Sequence, residues 1–266
     1  MSRLFLLLLL LAACSGPSTD PEPRPAADSS AARPPATAPR DPETADLHAW
    51  SGTLGGRVPV LLQFAVHDSV VRGSILYQRS KERKPILLLG HLEPEGYRLF
   101  EFAPDGSVTG ILLGKMTGSS FDGTWHDPGS ERALPFALAP SDSGMLVSAP
   151  RPVTGAAAGG SYAYSFGETG AAGGIDVTVA GDSARFDINC VTRGPAHNIA
   201  DLQTGPLPLK GNSLIYADPA TPGCRFRIRF YEGFLVIDYL ESQYDCGFGH
   251  NATVEGIFLR TGDVSK

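Results

Sequence analysis

The sequence predicts an all-β protein: two small antiparallel β modules of about eight strands each, each a meander barrel or a sandwich, after a disordered Pro-rich tether. Three observations carry this. Apolar residues alternate with period two through most of the chain beyond residue 46. Turn residues interrupt that alternation every 8–12 residues, the spacing of short strands in barrels and sandwiches. Helical periodicity is not visible anywhere.

In the first module (47–138), residues 47–54 form a first strand, and Val58, Val60, Leu62, Phe64 and Val66 then line one face of a second. A two-residue turn at Asp68-Ser69 sets Val66 against Val71, Phe64 against Gly73, Leu62 against Ile75 and Val60 against Tyr77. Every member of this register falls on one apolar face, so the register supports itself. Phe64 covering Gly73 is a pairing in which an aromatic shields a strand glycine. Further strands are expected over 85–93, 96–103, 107–116, 120–126 and 132–138, with turns at Pro94-Glu95-Gly96 and Pro104-Asp105-Gly106. A glycine inside most of them fits the sharp bends of a small barrel.

A soft stretch at 139–159, rich in Pro, Gly and Ala, is expected to link this module to a second at 160–262. Strands there are expected over 161–166, 174–180, 184–191, 199–203, 207–217, 224–231, 234–241 and 252–260. The clearest unit is a hairpin around Glu232-Gly233. Its register pairs Phe230 with Leu235, Ile228 with Ile237 and Phe226 with Tyr239 on one face, and Arg227 with Asp238 on the other. Cys224 then lies opposite Glu241, near the segment carrying Cys246, which predicts a Cys224–Cys246 disulfide. Closing that loop stabilises by roughly 3 kcal/mol in the chain-entropy model. Cys190 remains as a free, buried small hydrophobe.

The N-terminus reads as an export signal. Arg3 precedes an apolar run from Leu4 to Leu11, too short to span a membrane, and small residues follow it. Leu11-Ala12-Ala13-Cys14 resembles the lipobox of bacterial lipoproteins. That resemblance implies removal of residues 1–13, lipidation of Cys14 and anchorage to a membrane. Acyl chains contribute about 0.8 kcal/mol per buried CH₂, and stable anchoring takes more than one chain. Ser15, in place of the family's inner-membrane retention Asp, implies the outer membrane, with the protein facing the periplasm or the cell surface. Residues 14–46 form the tether, with eight prolines and almost no large apolar side chain to offset the entropy of ordering. At about 3.1 Å per residue it reaches up to ~100 Å. Loss of Arg3 takes the net charge from −6 to −7. This argues against nucleic acid and against a polybasic membrane surface.

The first module also resembles a domain of uncharacterised bacterial envelope proteins, through Trp50-Ser51-Gly52, Val58-Pro59-Val60, Val71-Arg72-Gly73-Ser74, Leu89-Gly90, Glu101, Thr109-Gly110, Gly123-Thr124-Trp125 and Leu134-Pro135-Phe136. The resemblance brings no activity with it. Trp50 and Trp125 either contact a ligand or close the two ends of a barrel core. Glu101, between Phe100 and Phe102, either faces solvent or faces the interior, where it needs a partner; Arg72 and Arg98 are the candidates. Arg225, Arg227 and Arg229 form either an anion-binding face or a solvated one balanced by Asp238, Glu241 and Asp245.

Tyr244-Asp245-Cys246-Gly247-Phe248-Gly249-His250-Asn251 is the densest polar cluster and a candidate interaction loop. It resembles a Cys-Gly-x-Gly stretch of small envelope proteins. Some bacterial lysozyme inhibitors are likewise small, disulfide-stapled β lipoproteins, although their inhibitory loops find no match here. Asp245 and His250 lack a nucleophile at a recognisable spacing. There is no phosphate-binding glycine loop, no nucleophile elbow and no zinc-ligand spacing among the six histidines. The expectation is a non-catalytic lipoprotein, without metal or cofactor, that binds or scaffolds a protein or small molecule. The alternatives are inhibition of a hydrolase such as lysozyme, and carriage of a small apolar ligand or lipid in the first module.

Overall fold

The computed structural model describes residues 46–142 and 147–264; the expected signal segment, the expected lipidation site Cys14 and the expected tether up to residue 45 lie outside the described residues. The first eight strands are β1 (Asp46–Leu54), β2 (Val58–His67), β3 (Val70–Tyr77), β4 (Ile86–Glu93), β5 (Gly96–Phe102), β6 (Val108–Thr117), β7 (Ser120–His126) and β8 (Ala133–Pro140). Each pairs antiparallel with the next, and β8 returns to β1 through Leu54↔Phe136 and Trp50↔Pro140, closing a barrel. Of the two architectures expected for this module, it is the barrel. The β2–β3 register is the expected one, Val66↔Val71 through Val60↔Tyr77. It is set by a turn in which Asp68 and Ser69 both take positive φ, 48° and 65°, the two-residue geometry that follows strand twist.

The barrel axis is filled with rings. Phe121 stands at its centre, with Trp50, Phe64, Tyr97 and Phe136 around it at centroid separations of 5.3–5.9 Å. So many aromatics fit because the facing strands carry glycines. A Cβ on Gly73 would lie 2.5 Å from Phe64 Cβ, and one on Gly114 would lie 2.5 Å from the Phe121 ring. Each fully buried large side chain contributes about 1.5–3 kcal/mol of transfer free energy.

The second module is β9 (Gly160–Ser165), β10 (Ala172–Ala180), β11 (Ser183–Val191), β12 (Ile199–Gln203), β13 (Leu207–Pro208), β14 (Ser213–Ala217), β15 (Arg225–Tyr231), β16 (Phe234–Tyr239) and β17 (Gly256–Gly262). They curl into an antiparallel half-barrel in the order β12-β11-β10-β9-β17-β16-β15-β14, with β13 beside β11. The hairpin register around Glu232-Gly233 is the expected one, including Arg227↔Asp238.

Three expectations need correcting. The strand expected over 207–217 is two strands. Pro208 has no N–H for a ladder, and the chain turns at Gly211 (φ 59°) to pair Lys210 with Ser213. The strand expected over 252–260 starts only at Gly256. Residues 151–153, expected as linker, run beside the end of β15: Pro152 bridges Tyr231, and Val153 N–H donates to Phe230 O at 3.1 Å. Beyond them a short 3₁₀ turn at Gly155–Ala158 buries Ala158, whose carbonyl accepts from the Tyr162 hydroxyl at 2.9 Å.

The modules share a core. Val70, Leu89, Phe102 and Val108 of the barrel are buried in the same apolar cluster as Phe186, Phe226, Phe230 and Phe258 of the half-barrel. Backbone joins backbone as well: Ser165 N–H donates to Gly106 O at 3.1 Å, and Ser107 bridges Ser165.

Candidate functional site

β5 alternates strictly across the barrel wall. Leu99 and Glu101 point inward, while Phe100 and Phe102 point outward toward the second module. Phe102 is buried there and Phe100 only partly. Phe100 meets Phe166, just beyond β9, edge-on at 5.9 Å, and Phe166 meets Tyr164 at 5.6 Å. These three rings, one from the barrel and two from the second module, make a continuous aromatic wall. It lines a cleft of about 580 Å³ at the junction, within the usual size of a small-molecule site.

The rest of the lining is polar and comes from the β4–β5 hairpin, β16 and the approach to β17: His91, Glu93, Arg98, Asp238, Thr253 and Glu255. Most of these charges are already matched. Arg98 grips Glu93 through two nitrogens, at 2.8 and 3.2 Å, a two-pronged charge-assisted pair. Asp238 receives Arg229 Nε and Nη2 at 3.0 and 2.8 Å, and Arg227 lies 3.6 Å away. Arg229 also donates to Asp68 O across the module junction at 3.4 Å. Arg225 lies 3.6 Å from Glu241, so the arginine row is paired with Asp238 and Glu241 rather than being a free anion-binding face. Burial lowers the pKa of His91, reinforced by Arg229 and Arg98 and opposed by Asp238 and Glu93. Burial raises that of Glu255, and the negative charges of Asp238 and Glu93 add to the rise.

Comparison with protein families, curated proteins and solved structures finds no match.

The residues singled out from sequence lie elsewhere. Glu101 is 2% exposed inside the barrel. Its partners are not Arg72 or Arg98, as expected. They are the Tyr77 hydroxyl (2.6 Å), Trp125 Nε1–H (3.0 Å) and, more weakly, the Thr109 hydroxyl (3.5 Å). Arg72 cannot reach it, because the β3 register points Val71, Gly73 and Ile75 inward and Arg72 out, where it donates to Ser148 O at 3.3 Å. Burial raises the pKa of Glu101, and the three donors oppose the rise. Glu101 and Trp125 are thus brought together, whereas Trp50 packs separately against Phe121 in the same core. Trp50 Nε1 is buried without a hydrogen-bond partner among the described residues.

In the second module Cys224 and Cys246 are bonded, and Cys190 is free and buried. Burial pushes the Cys190 thiol up to about 12, which keeps it protonated and unreactive. Tyr244 is 73% exposed on the stapled loop. Asp245, His250 and Asn251 are exposed beside it, and the backbone carbonyl of His250 accepts from Asn198 Nδ2 at 2.8 Å. Among the described residues no group of His, Cys, Asp or Glu could hold a metal ion.

Sequence reasoning missed the cleft. Its signal was present in strands such as Leu87-Leu88-Leu89 and Leu99-Phe100, which are apolar on both faces and so demand a second covering layer.

Proposed function

We propose that this chain is a lipid-anchored, non-catalytic binding protein of the bacterial envelope, held to the outer membrane through Cys14, and that its binding site is the cleft between the two modules. The observation that carries the reading is the aromatic wall of Tyr164, Phe100 and Phe166, the last two partly exposed, beside polar groups at the junction. Partly exposed rings in a concave site are a cost that a ligand removes. The barrel interior offers a weaker site, because its axis is occupied by side chains. The Cys224–Cys246 disulfide fits an oxidising compartment. The lipobox residues and the Pro-rich tether fit an anchored protein working at a distance from the lipid surface.

Two experiments test this. Metabolic labelling with a clickable fatty acid should mark the wild type and not Cys14→Ser; equal labelling removes the anchor. A photo-cross-linking residue at position 166 should capture a partner or ligand from intact envelopes, and one at position 122 should not. Capture at 122 alone moves the site off the cleft.

A second reading rests on Tyr244, which is exposed on a disulfide-stapled loop and so presents a large, preordered contact. It makes the protein an inhibitor of a hydrolase such as lysozyme. Inhibition by the pure chain, relieved in Tyr244→Ala, supports it; full lysozyme activity in excess protein removes it.

A further inference from the structure

We infer that the cleft receives an organic monocation, an ammonium or guanidinium group carried on an apolar or aromatic body, with Glu255 as its counter-charge. The inference rests on the cleft being the binding site and concerns only what enters it.

The charge balance of the lining leads to this class. Glu93 is held by Arg98, and Asp238 by Arg229 and Arg227. Glu255 has no ion-pair partner among the described residues. Arg98 acts on it only at longer range, while Asp238 and Glu93 both repel its negative charge. His91, with its pKa lowered, adds no positive charge near neutral pH. One carboxylate of the lining is thus left without an ion pair of its own, in the same cleft as Phe100, Phe166 and Tyr164. Aromatic faces attract cations through their quadrupole, and a carboxylate without an ion pair disfavours an anion beside it. A single cation relieves the repulsion on Glu255 and finds aromatic rings in the same cleft, while its apolar body covers the partly exposed ones. A dication finds no second free carboxylate among the described residues of the lining.

The group can come from a free amine or from a Lys or Arg side chain, and the test separates these. Full-length chain in a neutral maltoside detergent at pH 8 is titrated calorimetrically with four probes: phenethylammonium, the neutral 2-phenylethanol, the anion phenylacetate and the peptide N-acetyl-phenylalanyl-lysinamide. The two cations should bind, the neutral probe about fivefold more weakly, and the anion more weakly still, as for a half-exposed ion pair. Glu255→Gln should weaken the cations about fivefold, leave the neutral probe unchanged and keep the melting temperature. Glu255→Lys should turn the preference toward phenylacetate. Tighter binding of the peptide assigns the cation to a polypeptide; tighter binding of the free amine assigns it to a small molecule.

Equal binding of cation and anion, or a Glu255→Gln variant with unchanged selectivity, overturns the inference. The cleft itself survives that result if Phe166→Ala weakens every probe. If no probe binds yet position 166 still cross-links a ligand, the inference falls and the cleft stands. If neither occurs, both fall.

Discussion

Glu101 is a carboxyl in an apolar barrel held by neutral donors, and its chemistry follows from that choice of partners. A guanidinium inside so small a barrel would need its own desolvation to be offset, whereas Tyr77, Trp125 and Thr109 bring donors on side chains that also pack. Because its pKa is raised in the fold, its contribution is greatest below its ordinary value of 4.5 and is lost as pH rises through the folded value. Glu101→Gln, which keeps the acceptor oxygen, should therefore be least favourable relative to wild type near pH 4.5 and gain on it toward pH 8, in chemical denaturation at both pH values. Glu101→Leu strands the Tyr77 hydroxyl and Trp125 Nε1–H, at a cost of about 1–3 kcal/mol for each buried group left unpaired. Gly73 is the complementary case. Alanine there meets Phe64 Cβ at 2.5 Å as well as the Gln63 carbonyl, and denaturation should show a loss of about 1–3 kcal/mol from overpacking. The Phe64–Gly73 pairing was legible in sequence, because the turn fixed the register. The partner of Glu101 was not, because local spacing does not say which distant strand supplies a donor.

At the scale of elements, the hairpins carried most of the readable information. The strands flanking Asp68-Ser69 and Glu232-Gly233 pair as their alternation requires, since a one-residue slip would turn every apolar side chain outward. The disulfide followed from the second of these registers. Removing it with Cys224→Ser and Cys246→Ser together opens a link of sequence separation 22. Thermal unfolding should report a loss of about 3 kcal/mol, with the 240–251 loop losing hydrogen-exchange protection before β15 and β16. The pairings β1–β8 and β9–β17 were not readable. They join distant segments and leave no turn between them as a local mark. The split of 207–217 was missed because apolar Leu207, Leu209 and Leu214 keep the look of a strand across a turn.

At the scale of the molecule, the apolar face between the modules dominates. Leu89→Ala or Phe102→Ala creates a cavity in a junction where both side chains are buried, at a cost of about 2–5 kcal/mol. Calorimetry should show one transition moving down as a whole, since the cluster spans both modules; two separated transitions would mean the modules melt independently. His91 gives the same junction a pH dependence. Asp238 and Arg229 face it from β16 and β15, and Glu93 and Arg98 from the β4–β5 hairpin. A lowered folded pKa contributes stability above the ordinary value of 6.5 that is lost as pH falls through the folded value. His91→Gln should flatten that acid-side loss in melting curves between pH 7 and 5.

The joined face also sets an order of events for a chain synthesised from its N-terminus. Closure of β8 on β1 needs nothing beyond Ser141, whose N–H donates to Ala49 O, so the barrel can finish while β9–β17 are still being made. Until they arrive, Val70, Leu89, Phe102 and Val108 stand uncovered, an adhesive surface of the kind that draws incomplete chains into aggregates or onto chaperones. The newborn protein is thus most vulnerable after its first half has folded.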